Sequence, residues 1–240
     1  MPTPNPSTCL NDPVSVSCTG PARCAATGSA SVGIDPQTLV ESWHGSAWTV
    51  VPNPDVPGKI NSLSGVSCTG PTSCVAVGTT RDEDNYDFQT LVERWNGVTW
   101  SIVPGTGLVG GGYLSDVSCT GATDCTAVGW DNDGNTLVLE GDGSSWSAVP
   151  SPDVAGSNDA LNGVGCRSAT FCAAVGDSIA NGTGVTSTLE EAWNGSSWSI
   201  EPTPEVTGPE SVLNDVFCNS TAACVATGSA PRVSRRGCAS

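Results

Sequence analysis

A chain of 240 residues can hold one large all-β domain or two small ones, and it can bury a sizeable core. Its 29 Gly and 17 Pro suit many short strands joined by tight turns, and 8 Trp against 3 Phe and 2 Tyr give tryptophan a special, repeated role. The net charge of −16, from 24 acidic and 8 basic residues, repels phosphate backbones and anionic lipid, which argues against nucleic-acid partners. No apolar run approaches the length of a membrane span, so no membrane insertion is expected.

Twelve cysteines with a single histidine, His44, read as disulfides rather than zinc ligands, and hence as an extracellular or cell-surface protein. Met1 to Pro6 has neither the basic start nor the apolar stretch of an export signal. The expectation is that the signal was removed or that the chain is a piece of a longer product.

Five cysteine pairs share one spacing, and their first members advance by 50, 51, 47 and 52 residues. Each unit reads roughly L-x-x-V-S-C-x5-C-x-A-V-G, a variable loop, then T-L-V-E-x-W-N-G-x-x-W-S-x-V-P. The first unit, 13–62, carries the pair Cys18 and Cys24, a loop from Gly28 to Gln37, and Trp43 and Trp48 around the turn His44-Gly45. The second, 63–113, carries Cys68 and Cys74 and predicts four strands: Leu63 to Cys68, Cys74 to Gly78, Thr90 to Trp95, and Trp100 to Val103. Its Asn96-Gly97 turn tolerates positive φ at both positions, a hairpin signal.

The third unit, 114–160, has the pair Cys119 and Cys125 and the turn Asp142-Gly143. It departs from the pattern with Gly141 opposite Trp146 and an extra Trp130, which predicts either a cavity or a Trp130 folded back to fill it. The fourth, 161–211, repeats the pattern with Cys166 and Cys172, and with Trp193 and Trp198 around Asn194-Gly195. The fifth, 212–230, has only its first two strands, with Cys218 and Cys224, before an aberrant basic tail at 231–240. Pro52, Pro104, Pro150 and Pro202 end the fourth strands, because proline cannot donate to a ladder.

Four antiparallel strands per repeat of this length predict an all-β fold: a β-propeller with four complete blades, half of a fifth, and one hairpin disulfide per blade. The whole of 1–230 forms one repeat domain. The paired tryptophans are read as packing between blades rather than as a sugar platform. Cys9 and Cys238, outside the repeat, are candidates for a closing bridge.

Turns alternate between faces, so the stapled and Asn-Gly turns share one face. The variable loops Gly28–Gln37, Gly78–Gln89, Gly129–Asn135 and Gly176–Ser187 share the other, where a ligand is expected. The candidate binding residues are Asp82 and Asp84 in the second loop and Trp130, Asp131 and Asp133 in the third. Asp131 to Asn135 resembles the opening of a calcium loop without its later glutamate. No cofactor is expected, calcium being the one to test. No catalytic residues stand out, and His44 reads as a turn variant.

The two repeated motifs resemble repeats common in predicted secreted proteins of actinobacteria, which imply a propeller and no shared activity. Trp95-Asn96-Gly97-Val98-Thr99-Trp100 is also similar to the Asp-box hairpin of sialidase-like propellers. It has Trp95 where the aspartate belongs, and the chain is too poor in arginine for the sialidase triad. Five-bladed lectins are the nearest functional analogy. The expected function is a non-enzymatic extracellular binding module taking a glycan or a protein on the variable-loop face. A structural or adhesion repeat is the alternative, and a carbohydrate-active enzyme the third reading.

Overall fold

The computed structural model describes residues 11–32, 35–85, 87–104, 111–203, 210–221 and 223–230. Cys9 and Cys238, and the basic tail, lie outside them. Four units each fold into a four-stranded antiparallel sheet with strands in chain order. The first blade is β1 (Asn11–Gly20), β2 (Arg23–Val32), β3 (Asp35–Trp43) and β4 (Trp48–Val50), and the second is β5 (Ile60–Gly70), β6 (Ser73–Arg81), β7 (Gln89–Trp95) and β8 (Trp100–Ile102). The third is β9 (Tyr113–Gly121), β10 (Asp124–Trp130), β11 (Thr136–Gly141) and β12 (Trp146–Val149). The fourth is β13 (Ser157–Ser168), β14 (Phe171–Ala180), β15 (Thr186–Trp193) and β16 (Trp198–Ile200), and a two-stranded sheet follows, β17 (Val212–Ser220) with β18 (Ala223–Ser229).

The second strands β6, β10 and β14 are apolar on both faces because both faces are covered. Along β6, Cys74 and Ala76 pack back onto Ala25 and Val40 of the first blade, while Val75 and Val77 pack forward onto Leu114, Val117 and Leu139 of the third. The same alternation joins the third blade to the fourth through Val128, Val138, Leu161 and Trp198. Successive innermost strands β1, β5, β9, β13 and β17 lie side by side. Their facing backbone edges are joined through serines: Ser17 Oγ accepts from Cys68 N–H, Ser67 Oγ from Cys119 N–H, and Ser118 Oγ from Cys166 N–H, each at 3.0 Å. The serine of the V-S-C motif is thus an inter-blade connector.

All five repeated cysteine pairs are disulfide-bonded. Cys18 bonds to Cys24, Cys68 to Cys74, Cys119 to Cys125, Cys166 to Cys172 and Cys218 to Cys224, each with Cα atoms 4.0 Å apart. The partners stand directly opposite one another in the ladder between the first two strands of each blade, so each bridge closes a hairpin rather than linking blades. The second cysteines are also core residues. Cys125 is buried within the third blade's cluster and Cys172 against Val128 and Val138 of the third blade, whereas Cys224 is only partly buried against the fourth. Cys224 differs because its sheet has two strands among the described residues, without the third strand that pairs beside Cys74 and Cys172.

The glycine ending C-x-A-V-G answers to a bulge in the neighbouring first strand, seen as register shifts such as Leu63/Gly65. A Cβ on Gly78 would collide with the Ser62 carbonyl oxygen, and Gly28, Gly129, Gly176 and Gly228 sit equivalently.

Two expectations are corrected, and the third blade's alternative is decided. The strands run further than the motifs indicate: β2 and β3 stay paired from Cys24↔Trp43 out to Val32↔Asp35, so most of the supposed loop Gly28–Gln37 is hairpin. The Asn-Gly turn needs positive φ only at glycine (Gly97, φ 95°), because Asn96 Oδ1 accepts the N–H groups of Val98 and Thr99 and closes a wider loop. In the third blade Trp130 does not fold back over Gly141: it lies at the far end of its strand, paired with Thr136, and an open depression lined by Gly141 and Trp146 remains, with the Trp146 ring leaning over the glycine.

Five of the six paired tryptophans have scaffold roles in the structure. Trp43, Trp95 and Trp193 donate Nε1–H to carbonyls of the stapled turns, those of Pro21, Pro71 and Ala169, at 3.0–3.2 Å. Trp100 and Trp198 are buried against the preceding blade. No helix among the described residues is long and apolar enough to cross a membrane.

Candidate functional site

The loop face carries a groove of about 300 Å³ between the third and fourth blades. The third blade supplies Trp130, Asp131 and Asp133 from the end of β10 and its short loop, and the fourth supplies Asn158, Asp159 and Asp177 from β13 and β14. Exposed Ile179 completes an apolar flank beside Trp130.

The loop is shaped by its own hydrogen bonds. Asp131 Oδ1 accepts from the N–H groups of Asp133 and Asn135 at 3.0 and 2.9 Å, and Gly134 takes positive φ at 83°. Asp131 is therefore a turn-former, while Asp133 is exposed along the groove. Asp177 Oδ1 accepts from Asn162 Nδ2 at 2.9 Å, an anchor from the innermost strand.

Trp130 is held by aromatic neighbours. It stacks on Tyr113, its cross-strand partner, with centroids 5.7 Å apart and planes 8° apart, and Phe88 of the second blade meets it edge-on at 5.2 Å. Asn132 ties the two blades' loops together, donating to Asp87 Oδ1 at 2.8 Å and to the Phe88 carbonyl at 3.0 Å.

Beneath the groove, Asp159 is buried with Oδ1 unpartnered, and Glu191 of β15 is fully buried with neither oxygen hydrogen-bonded. The Thr136 hydroxyl beside Glu191 is engaged with Ser151 and Asp153 instead. Burial, with Asp153 and Asp159 nearby, pushes the Glu191 carboxyl up to about 8.

Three of the five residues singled out from sequence, Trp130, Asp131 and Asp133, thus meet in one groove. Asp82 does not: it pairs with Lys59 at 2.6 Å on the second blade's loop. Asp84 is exposed on that same loop, away from the groove. Among the described residues no three acidic, histidine or cysteine side chains come together as metal ligands, so the calcium expectation gains no geometry. Sequence reasoning missed Asp159 and Asp177, which belong to the next blade's first two strands. It also missed Tyr113, for which cross-strand pairing with Trp130 was the available signal.

The fold and groove define a class: a disulfide-stapled β-propeller with an acidic, tryptophan-flanked groove between two blades. No model of a known protein family matches the sequence, and no curated protein matches it significantly. Solved structures do. The SapL1 lectin in complex with α-methyl fucoside superimposes with a TM-score of 0.60 at 16% identity, covering 92% of this chain and 80% of that one. YCF48 bound to D1 peptide gives 0.50 at 12% identity over 85% of this chain, which spans only 56% of that protein's length. A glycosyl hydrolase from Bacteroides ovatus gives 0.50 at 8% identity, covering 85% and 76%. At such identities the likeness is one of fold.

Proposed function

We propose that this protein is a glycan-binding module of an oxidising, extracellular compartment, and that it binds through the loop-face groove between its third and fourth blades. The observation that carries this reading is the meeting of a rigidly backed indole, Trp130, with the Asp133 and Asp177 carboxylates in one groove. Carboxylates accept pairs of sugar hydroxyls while an aromatic ring packs against the apolar side of the pyranose, and a braced side chain loses little entropy on binding. The lectin among the structural neighbours is compatible with it, and the disulfides support the compartment.

A glycan array followed by calorimetry on the retained sugars tests the proposal. Trp130→Ala and Asp177→Asn are each expected to weaken binding about tenfold or more, while Asp84→Asn leaves it unchanged. Retention of no glycan, or affinity indifferent to both groove variants, would overturn it, and a protein captured through the same residues would replace glycan by protein as the ligand.

A further inference from the structure

The opposite, stapled face has its own cleft, of about 200 Å³, between the first and second blades. Trp43, Trp95 and Trp100 form its indole walls, and Thr19, Arg23 and His44 supply polar groups. Trp43 and Trp95 are fixed in orientation by their bonds to the Pro21 and Pro71 carbonyls. Arg23 is exposed and has no ion-pair partner among the described residues.

The repeat provides the comparison that gives this cleft meaning. Three positions line it: the residue before the second cysteine, the third-strand residue paired just beyond that cysteine, and the first residue of the turn. In the first blade they are Arg23, Ser42 and His44; in the third they are Asp124, Glu140 and Asp142, all carboxylates, lining an acidic depression around Cys125. In the second blade Arg94 stands at the Ser42 position, and its guanidinium lies against Gly143 of the next turn, occupying the matching space. Of the two stapled-face depressions, the one at the first blade holds an arginine open beside tryptophans, on a chain of net charge −16.

We propose that this cleft binds a carboxylate-bearing sugar, a uronic acid residue, with the Arg23 guanidinium pairing its carboxylate and the indoles packing against its ring. A guanidinium fork matches a carboxylate, and ring stacking on indole selects a pyranose over a simple anion. The cleft has room for a single ring rather than a chain. This second site is independent of the loop-face groove.

The test is titration of the intact protein with the methyl glycosides of glucuronic and galacturonic acid, using methyl glucoside and methyl galactoside as neutral controls. Calorimetry and the indole N–H resonances serve as readouts. At least one uronide is expected to bind saturably, shifting the Trp43 and Trp95 signals, and to bind at least about tenfold more tightly than its neutral counterpart. Arg23→Ser installs the second blade's residue at this position, and Arg23→Asp the third blade's, so both preserve the fold. The first is expected to cost about tenfold and the second to abolish binding. Trp130→Ala leaves uronide binding intact, which separates this site from the loop-face groove. No saturable uronide binding, equal binding of the neutral sugars, or an undiminished affinity in Arg23→Ser would overturn the proposal.

Discussion

Glu191 sits fully buried with both carboxylate oxygens unpartnered, while its counterpart Glu93 receives only long bonds from Asn53 Nδ2 at 3.4 and 3.5 Å. Burial raises both carboxyls from 4.5 to about 8 and raises Asp116 from 3.8 to about 7, so in mild acid all three are protonated in the fold. In the unfolded chain they ionise from about pH 4 upward. The native state therefore holds more protons, and these groups make stability fall as pH rises between about 4.5 and 8. Asp142 works oppositely: bonds from Ser144 and Ser145 hold its carboxyl below the usual range, and that contribution is lost only in stronger acid. The third blade carries Leu139 where the others carry these glutamates, in a position paired with Ala127 as Glu191 is with Ala174. Glu191→Leu is accordingly expected to stabilise the protein at pH 8, by on the order of 1–3 kcal/mol. It should also flatten the dependence of Tm on pH, as thermal melts from pH 5 to 9 would read. A Tm that climbs with pH in the wild type would contradict the assignment.

At the scale of the element, each blade is a chain-ordered antiparallel sheet whose innermost strand has one edge left over. Serine hydroxyls from the preceding blade satisfy part of that edge, as Ser67 does for the Cys119 amide. Ser67→Ala leaves this N–H without its partner and is expected to cost about 1 kcal/mol. Amide exchange at Cys119 should accelerate while Cys68 and Cys166 keep their protection, because their acceptors are Ser17 and Ser118. The fourth junction is built differently: Gly165 has no hydroxyl, and a Cβ there would lie 2.9 Å from the Val216 carbonyl. Closer backbone approach replaces the hydroxyl bridge at that junction.

Across the whole molecule, the internal junctions bury Val66 and Val75 to 5% and 3% exposure. The equivalent Val16 on the first blade and Val225 on the fifth are 59% and 65% exposed, and Phe217 stands 70% exposed at the position Ser67 holds in the second blade. The core is therefore a series of blade-to-blade contacts, and the five disulfides are spread evenly along it. Closing a seven-residue loop contributes roughly 2.4 kcal/mol on the chain-entropy model. Because every described blade carries one such bridge, reduction is expected to lower the melting temperature strongly; an unchanged melt in excess dithiothreitol would remove the bridges from the account of stability.

The repeat, the staples and the allocation of turns to two faces were legible in the sequence because they depend on local spacing: cysteines across a tight turn, glycine at a bulge, alternation along doubly covered strands. The loop-face site was legible only in part. Trp130, Asp131 and Asp133 announce themselves as departures from the repeat, but Asp159 and Asp177 look like ordinary strand residues until the fourth blade is laid beside the third. The buried glutamates are repeat residues too, and nothing local distinguishes the hydrogen-bonded Glu93 from the unpartnered Glu191. Arg23 lies next to a stapled turn, and only the second blade's tryptophans close a cleft around it. Grooves, burial and the pairing of charges arise between blades, from residues about one repeat apart, and only tertiary packing decides which of them meet.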